Sequence, residues 1–175
     1  TSRSQLKTAV DNCLAVDATG VTCCATADCG PAGSDEMKDW DVGQVTDMSW
    51  LFWYDSHSNV FNVDISGWDV SSVTDMNNMF SEATAFNADI SGWDTSSVMD
   101  MGNMFWQAEA FEADISGWDT SSVRTMRSMF DTASAFNVDN TGWDVSSVTD
   151  MRGMFRFASA FNADLSGWDV SSVTS

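Results

Sequence analysis

Phe86-Asn87-Ala88-Asp89-Ile90-Ser91-Gly92-Trp93-Asp94-Thr95-Ser96-Ser97-Val98-Met99-Asp100-Met101-Gly102-Asn103-Met104-Phe105-Trp106-Gln107-Ala108-Glu109-Ala110 is a module that this chain writes out several times. Its Trp-Asp pair returns at Trp40-Asp41, Trp68-Asp69, Trp93-Asp94, Trp118-Asp119, Trp143-Asp144 and Trp168-Asp169. The last five pairs are 25 residues apart, whereas the first interval is 28, which places about three extra residues between Met48 and Phe61. A fixed period of this length predicts a solenoid, in which each unit buries its apolar face only against its neighbours.

The two halves of the module read differently. Met101, Met104, Phe105 and Ala108 fall at i, i+3, i+4 and i+7, and so do Met76, Met79, Phe80 and Ala83 and the matching sets at Met126 and Met151. That spacing predicts one buried stripe on a helix of two to three turns, held by stacking because so short a helix does not persist alone. In the other half Ile90, Trp93, Thr95 and Val98 sit among Ser, Gly and Asp, which predicts short strands joined by tight turns. The glycine of each Ser-Gly-Trp step is expected to supply a positive φ or a close approach between coils. The tryptophan beside it is expected to lie in a buried stack.

Residues 1–39 precede the array as a cap. Leu6, Ala9, Val10, Cys13 and Leu14 recur at helical spacing behind Ser4 as expected N-cap, giving a helix over about residues 4–15 that covers the first module. The array follows over residues 40–175 as about five and a half repeats, with an insertion near 54–59. All four cysteines, Cys13, Cys23, Cys24 and Cys29, lie in the cap. Their even number predicts two disulfides, and hence a cell exterior, cell surface or organelle lumen.

With 26 acidic residues against 7 basic ones, the net charge of −19 argues against nucleic acid and anionic membranes as partners. No stretch reaches the length of apolar sequence that crosses a bilayer.

Three columns of aspartate recur with the period: Asp64, Asp89, Asp114, Asp139 and Asp164; then Asp69, Asp94, Asp119, Asp144 and Asp169; then Asp47, Asp75, Asp100 and Asp150, interrupted by Thr125. Carboxylates stacked at strand spacing repel by roughly 1–3 kcal/mol per pair. Asx turns in the first two columns, and places behind Thr74 and Thr149 as helix N-caps in the third, are the structural reading. Calcium is the functional one, with the column from Asp64 to Asp164 as its candidate ligands.

Binding candidates are the residues that depart from the module. Trp50, Trp53, Tyr54, His57 and Trp106 mark an aromatic surface around the insertion, and Arg124, Arg127, Arg152 and Arg156 form the basic patch of an acidic chain. Asn140 occupies a slot filled elsewhere by Ile65, Ile90, Ile115 and Leu165, so a polar gap is expected there. The sequence reads in mid-module at Ser175, and a protein partner is expected at that edge. No nucleophile or acid-base set surrounds His57, so no enzyme is expected.

The run from Phe61 to Phe80, Phe-Asn-x-Asp-Ile-Ser-Gly-Trp-Asp-Val-Ser-Ser-Val-Thr-Asp-Met-x-x-Met-Phe, resembles the BspA-like surface-protein repeats, the DUF285 family. The resemblance implies a leucine-rich-repeat-like α/β solenoid, a secreted or surface location, and adhesion or protein interaction without catalytic residues. A non-catalytic protein-interaction or adhesion/scaffold module, alone or as a subunit of a larger assembly, is therefore the expected function. The alternative is a calcium-, glycan-, ice- or mineral-surface-binding protein.

Overall fold

Ser2 opens the α-helix of the cap. Its Oγ accepts from the Gln5 amide and its own amide donates to Gln5 Oε1, a capping box that starts α1 (Arg3–Val16) two residues before the position expected from Ser4. The structure, a computed structural model, describes residues 2–21, 36–53 and 60–175. Leu6, Ala9, Val10, Cys13 and Leu14 form the buried face of α1. Arg3 ties the helix to the first module through the Asp47 carboxylate at 3.3 Å and the Ser49 carbonyl at 2.7 Å.

The expected leucine-rich-repeat-like α/β solenoid is not what the chain builds. Among the described residues there is no β-strand. Among them, helical structure is confined to α1 and one short 3₁₀ turn at Met37–Asp39, so no described stretch of a module is helical. Strand pairing is reduced to isolated parallel bridges linking Asp47, Asp75, Asp100, Thr125 and Asp150 in succession. Nearly everything else is turn and extended loop.

The segment read as a helix shows why. Met101, Asn103, Phe105 and Gln107 each donate their amide to a carbonyl 24 residues on, those of Thr125, Arg127, Met129 and Asp131. The alternate amides of Met104, Trp106 and Ala108 close four-residue turns onto the carbonyls of Met101, Asn103 and Phe105. A helix would send all of them four residues back. The alternation is set by left-handed residues at two fixed phases: Trp50, Asn78, Asn103, Ser128 and Gly153 at one, and Glu82, Gln107, Thr132 and Phe157 at the other. Thr74 and Thr149 consequently cap no helix; their hydroxyls donate to the Thr46 and Arg124 carbonyls. The glycines of the Ser-Gly-Trp steps are likewise not in the left-handed region, where the described glycines are Gly20 and Gly153.

Of the two expected disulfides the described residues hold one end: Cys13 is disulfide-bonded, and no described cysteine is free. No disulfide joins two of the described residues; Cys13 is the one cysteine among them, and Cys23, Cys24 and Cys29 lie outside. Tyr54 and His57 lie outside as well, with the rest of the insertion.

The core is a set of aromatic ladders. Phe52, Phe80, Phe105, Phe130 and Phe155 stack with centroids 5.2 to 5.7 Å apart. Phe61, Phe86, Phe111, Phe136 and Phe161 stack beside them at 5.8 to 6.1 Å. The tryptophans of the Trp-Asp pairs are largely buried, and each indole N–H from Trp68 onward finds a main-chain acceptor: Met37, Ile65, Ile90, Ile115 and Asn140 in turn. A ring that size is buried favourably only when its polar N–H keeps a partner.

The left-handed columns lead to a stability prediction. Left-handed geometry costs an ordinary L-residue about 1–2 kcal/mol and is worst for a β-branched one, while asparagine tolerates it. Thr132→Asn is therefore expected to raise the unfolding free energy by about 0.5–1 kcal/mol. Urea titration checks it, and an unchanged midpoint would show that position 132 carries no strain.

Candidate functional site

Residues 151–175 present an apolar face that the preceding modules keep covered. Met126, Phe130, Phe136 and Trp143 are buried, but their equivalents Met151, Phe155, Phe161 and Trp168 are only partly so. Met151, Met154, Phe155, Leu165, Trp168 and Val170, with Gly153 and Arg156, line an open cavity of about 620 Å³. Phe157 stands beside it at 73% exposure, with the Arg156 guanidinium 5.6 Å from its ring centre.

The polar groups of this face are as regular as the apolar ones. One module earlier, the amides of Ser128, Phe130 and Thr132 donate to the carbonyls of Arg152, Met154 and Arg156. Among the described residues, the equivalent amides of Gly153, Phe155 and Phe157 have no acceptor.

The candidate binding residues are not brought into one site. Trp50 and Trp53 meet edge to face at 5.2 Å, each a little over one-third exposed, and the Trp53 indole donates to Glu82 at 3.3 Å. Trp106 is half-buried two modules further along, at the same phase as Trp53. The basic patch is partly neutralised within the chain. Arg152 pairs with Asp150 at 2.8 Å, and Arg156 pairs with Asp131 through Nε at 2.9 Å and Nη2 at 2.5 Å. Arg124 and Arg127 are exposed. Asp131 was not legible as a special residue, yet its side chain is 1% exposed. Only its phase, shared with Trp53, Ser81, Trp106 and Arg156, hints at the pairing.

The family described as "Mycoplasma protein of unknown function, DUF285" matches residues 25–141 and again residues 90–175. The chain belongs to the DUF285 family. No curated protein and no solved structure gives a significant match.

In this DUF285 chain the first two aspartate columns close Asx turns. Asp89 Oδ1 accepts from the Ser91 amide at 3.0 Å and its hydroxyl at 2.7 Å, and Asp94 repeats the arrangement with Ser96. The serine hydroxyl and amide hold the exposed carboxyls of Asp64, Asp89, Asp114, Asp119 and Asp144 below the ordinary range. For Asp139 and Asp164 the backbone amide is the larger cause. The column from Asp64 to Asp164 is thus occupied with turn closure, and among the described residues no group of three acidic, His or Cys side chains is placed to hold a metal. No described helix is long and apolar enough to cross a membrane.

The third column behaves oppositely at Asp75. Partial burial pushes its carboxyl up, the Asn77 amide pulls it down, and neighbouring Asp100 and Asp47 push it further up against Arg3. A raised folded pKa means that protonated Asp75 favours the fold, and that this stability is lost as pH rises through the folded pKa. Asp75→Asn keeps an acceptor for the Asn77 amide and removes the charge. We expect it to stabilise the protein at pH 7 by about 0.5 kcal/mol, the scale of relieving opposed like charges. The gain should shrink as pH falls through the wild-type titration. The turn-closing aspartates have the reverse sign, with stability present above the ordinary carboxylate range of about 4 and lost below it. Melting curves from pH 7 to pH 3 test both. A variant melting below wild type at pH 7 would sink the electrostatic account of Asp75.

Proposed function

We propose that this chain is a non-catalytic protein-interaction module acting outside the cell, at a cell surface or in an oxidising lumen, and that its partner contacts the apolar surface around Phe157. The observation that carries the reading is Phe157, at 73% exposure with the Arg156 guanidinium 5.6 Å from its ring centre, on a chain whose first two aspartate columns are committed to turns. Apolar patches of this kind mark interaction surfaces more often than solvent-facing ones. The net charge of −19 keeps the rest of the surface soluble and disfavours nucleic acid and anionic lipid.

The test uses Phe157→Asp combined with Val170→Asp, both at exposed positions that leave the ladders in place. Surface proteins solubilised from the source cells are passed over the immobilised chain. The double variant is expected to retain its melting temperature and lose binding roughly tenfold or more, the effect of removing contact-centre residues. Equal retention by the variant would remove the Phe157 surface from the proposal.

A glycan is the second reading, favoured by one observation. The Trp50–Trp53 pair offers ring faces beside Glu82, whose carboxylate already orients the Trp53 indole. Loss of glycan-array signal in Trp53→Ala, with the Phe157 surface intact, would favour it.

A further inference from the structure

Independently of the Phe157 surface, we propose that Trp50, Trp53 and Glu82 form a binding site for a cationic ligand carrying a trimethylammonium group. Trp50 lies in the left-handed region at φ 60, at the phase that Asn78, Asn103, Ser128 and Gly153 fill in later modules. Asparagine and glycine enter that region readily, whereas a bulky side chain there is an outlier that its surroundings must sustain. Burial does not offset the strain, because Trp50 is 39% exposed while Trp68 and Trp93 are buried. Backbone strain kept at an exposed aromatic residue points to binding.

The two rings define the shape of the site. Trp50 and Trp53 meet edge to face with centroids 5.2 Å apart and planes at 84°, and Trp53 is 38% exposed. Rings at right angles bound a corner with an aromatic face on each side. Glu82 stands beside it, its Oε1 accepting the Trp53 indole N–H at 3.3 Å. Among the described residues no cation pairs with Glu82; Arg3, which reaches the carbonyl of neighbouring Ser49, is engaged by Asp47.

These features select the ligand. An aromatic face attracts a cation through its quadrupole, and the Glu82 carboxylate adds to that field. A pyranose lays its flat side on one ring and is obstructed by the other. A compact, near-spherical trimethylammonium group touches both faces at once. Its methyl groups ask for no hydrogen-bond acceptor, whereas a lysine ammonium would have to shed water from three donors. The net charge of −19 draws cations toward the chain.

The test titrates choline chloride into the 175-residue chain against sodium chloride at equal ionic strength, following the indole N–H resonances. Saturable shifts of the Trp50 and Trp53 signals in the millimolar range are expected, with those of buried Trp93 and Trp118 unmoved. Trp50→Asn installs the residue that the next two modules carry at this phase. It should melt above wild type and bind choline roughly tenfold or more weakly. Glu82→Gln keeps an acceptor for the indole, and Gln107 already holds the same phase at φ 57. Its affinity should fall roughly fivefold, the effect of one carboxylate at contact distance in water. Phosphatidylcholine vesicles are the second arm: retention on them assigns a lipid head group, and choline shifts without retention a soluble ligand. The proposal is overturned if choline gives no saturable shift, if its uncharged tert-butyl analogue binds as tightly, or if Trp50→Asn retains affinity. Shifts with methyl glycosides and none with choline would pass the site to the glycan reading. The Phe157→Asp, Val170→Asp variant should bind choline unaltered, so either reading can fail alone.

Discussion

Phe105→Ala is expected to destabilise the protein by about 4–5 kcal/mol, the upper end of the range for a buried phenylalanine. Phe105 is wholly buried and lies in four aromatic contacts: Phe80 at 5.6 Å, Phe130 at 5.7 Å, Phe111 at 3.8 Å and Trp118 at 6.3 Å. Truncation removes the buried ring and leaves a hole. Phe80 and Phe130 are fixed by inter-module hydrogen bonds through their own amides and Trp118 through its indole N–H, so the site has little freedom to collapse. Stacked aromatic pairs add about 0.5–1.5 kcal/mol each beyond area burial, which places this ring above an isolated core phenylalanine. Phe155→Ala supplies the control. Phe155 belongs to the same ladder but is partly exposed, so its loss should cost well under the Phe105 value. Urea unfolding of the two variants decides the matter. Equal losses would mean that stability does not depend on continuity of the ladder.

Asn140→Ile is the largest expected gain, a stabilisation of about 2–3 kcal/mol. Asn140 is fully buried, and both its side-chain nitrogen and its side-chain oxygen lack partners among the described residues. A buried polar group without a hydrogen bond costs about 1–3 kcal/mol, and replacing it with a hydrocarbon adds apolar burial. The slot has room for the larger side chain, because Ile90 and Ile115 occupy the same phase fully buried in the two preceding modules. The Trp168 indole bonds the main-chain carbonyl of residue 140, which the substitution leaves untouched. Thermal and urea unfolding should both move upward. A neutral or destabilising result would show that the Asn140 amide is satisfied in solution and that the slot is polar by design.

Asn140 and Phe105 mark where the sequence could be read and where it could not. The departure of Asn140 from an isoleucine phase was visible in the spacing alone, and burial of the phenylalanine, methionine and tryptophan positions follows from their recurrence. Secondary structure within the module was misread. Met101, Met104, Phe105 and Ala108 have helical spacing, yet successive tight turns with a left-handed residue every fourth position bring the same four side chains inward. Side-chain periodicity reports which residues share a face and not which backbone path takes them there. The left-handed residues are Asn, Ser, Glu, Gln, Thr, Trp and Phe as well as Gly, so composition gave no turn signal at those phases.

The candidate surfaces divide in the same way. The aspartate columns declared their turn role through the Ser, Thr or Gly two residues on, a local relation that sequence preserves. The pairing of Arg156 with buried Asp131 spans 25 residues and exists only because modules lie in register.

By itself, the sequence determined the family, the 25-residue register, the acidic surface and which side chains leave water, because each follows from residue identity at a repeated phase. Only the tertiary structure decided that the backbone takes turns and single bridges in place of helix and strand. That choice rests on where each amide finds its acceptor, and the acceptors lie mostly in the neighbouring module.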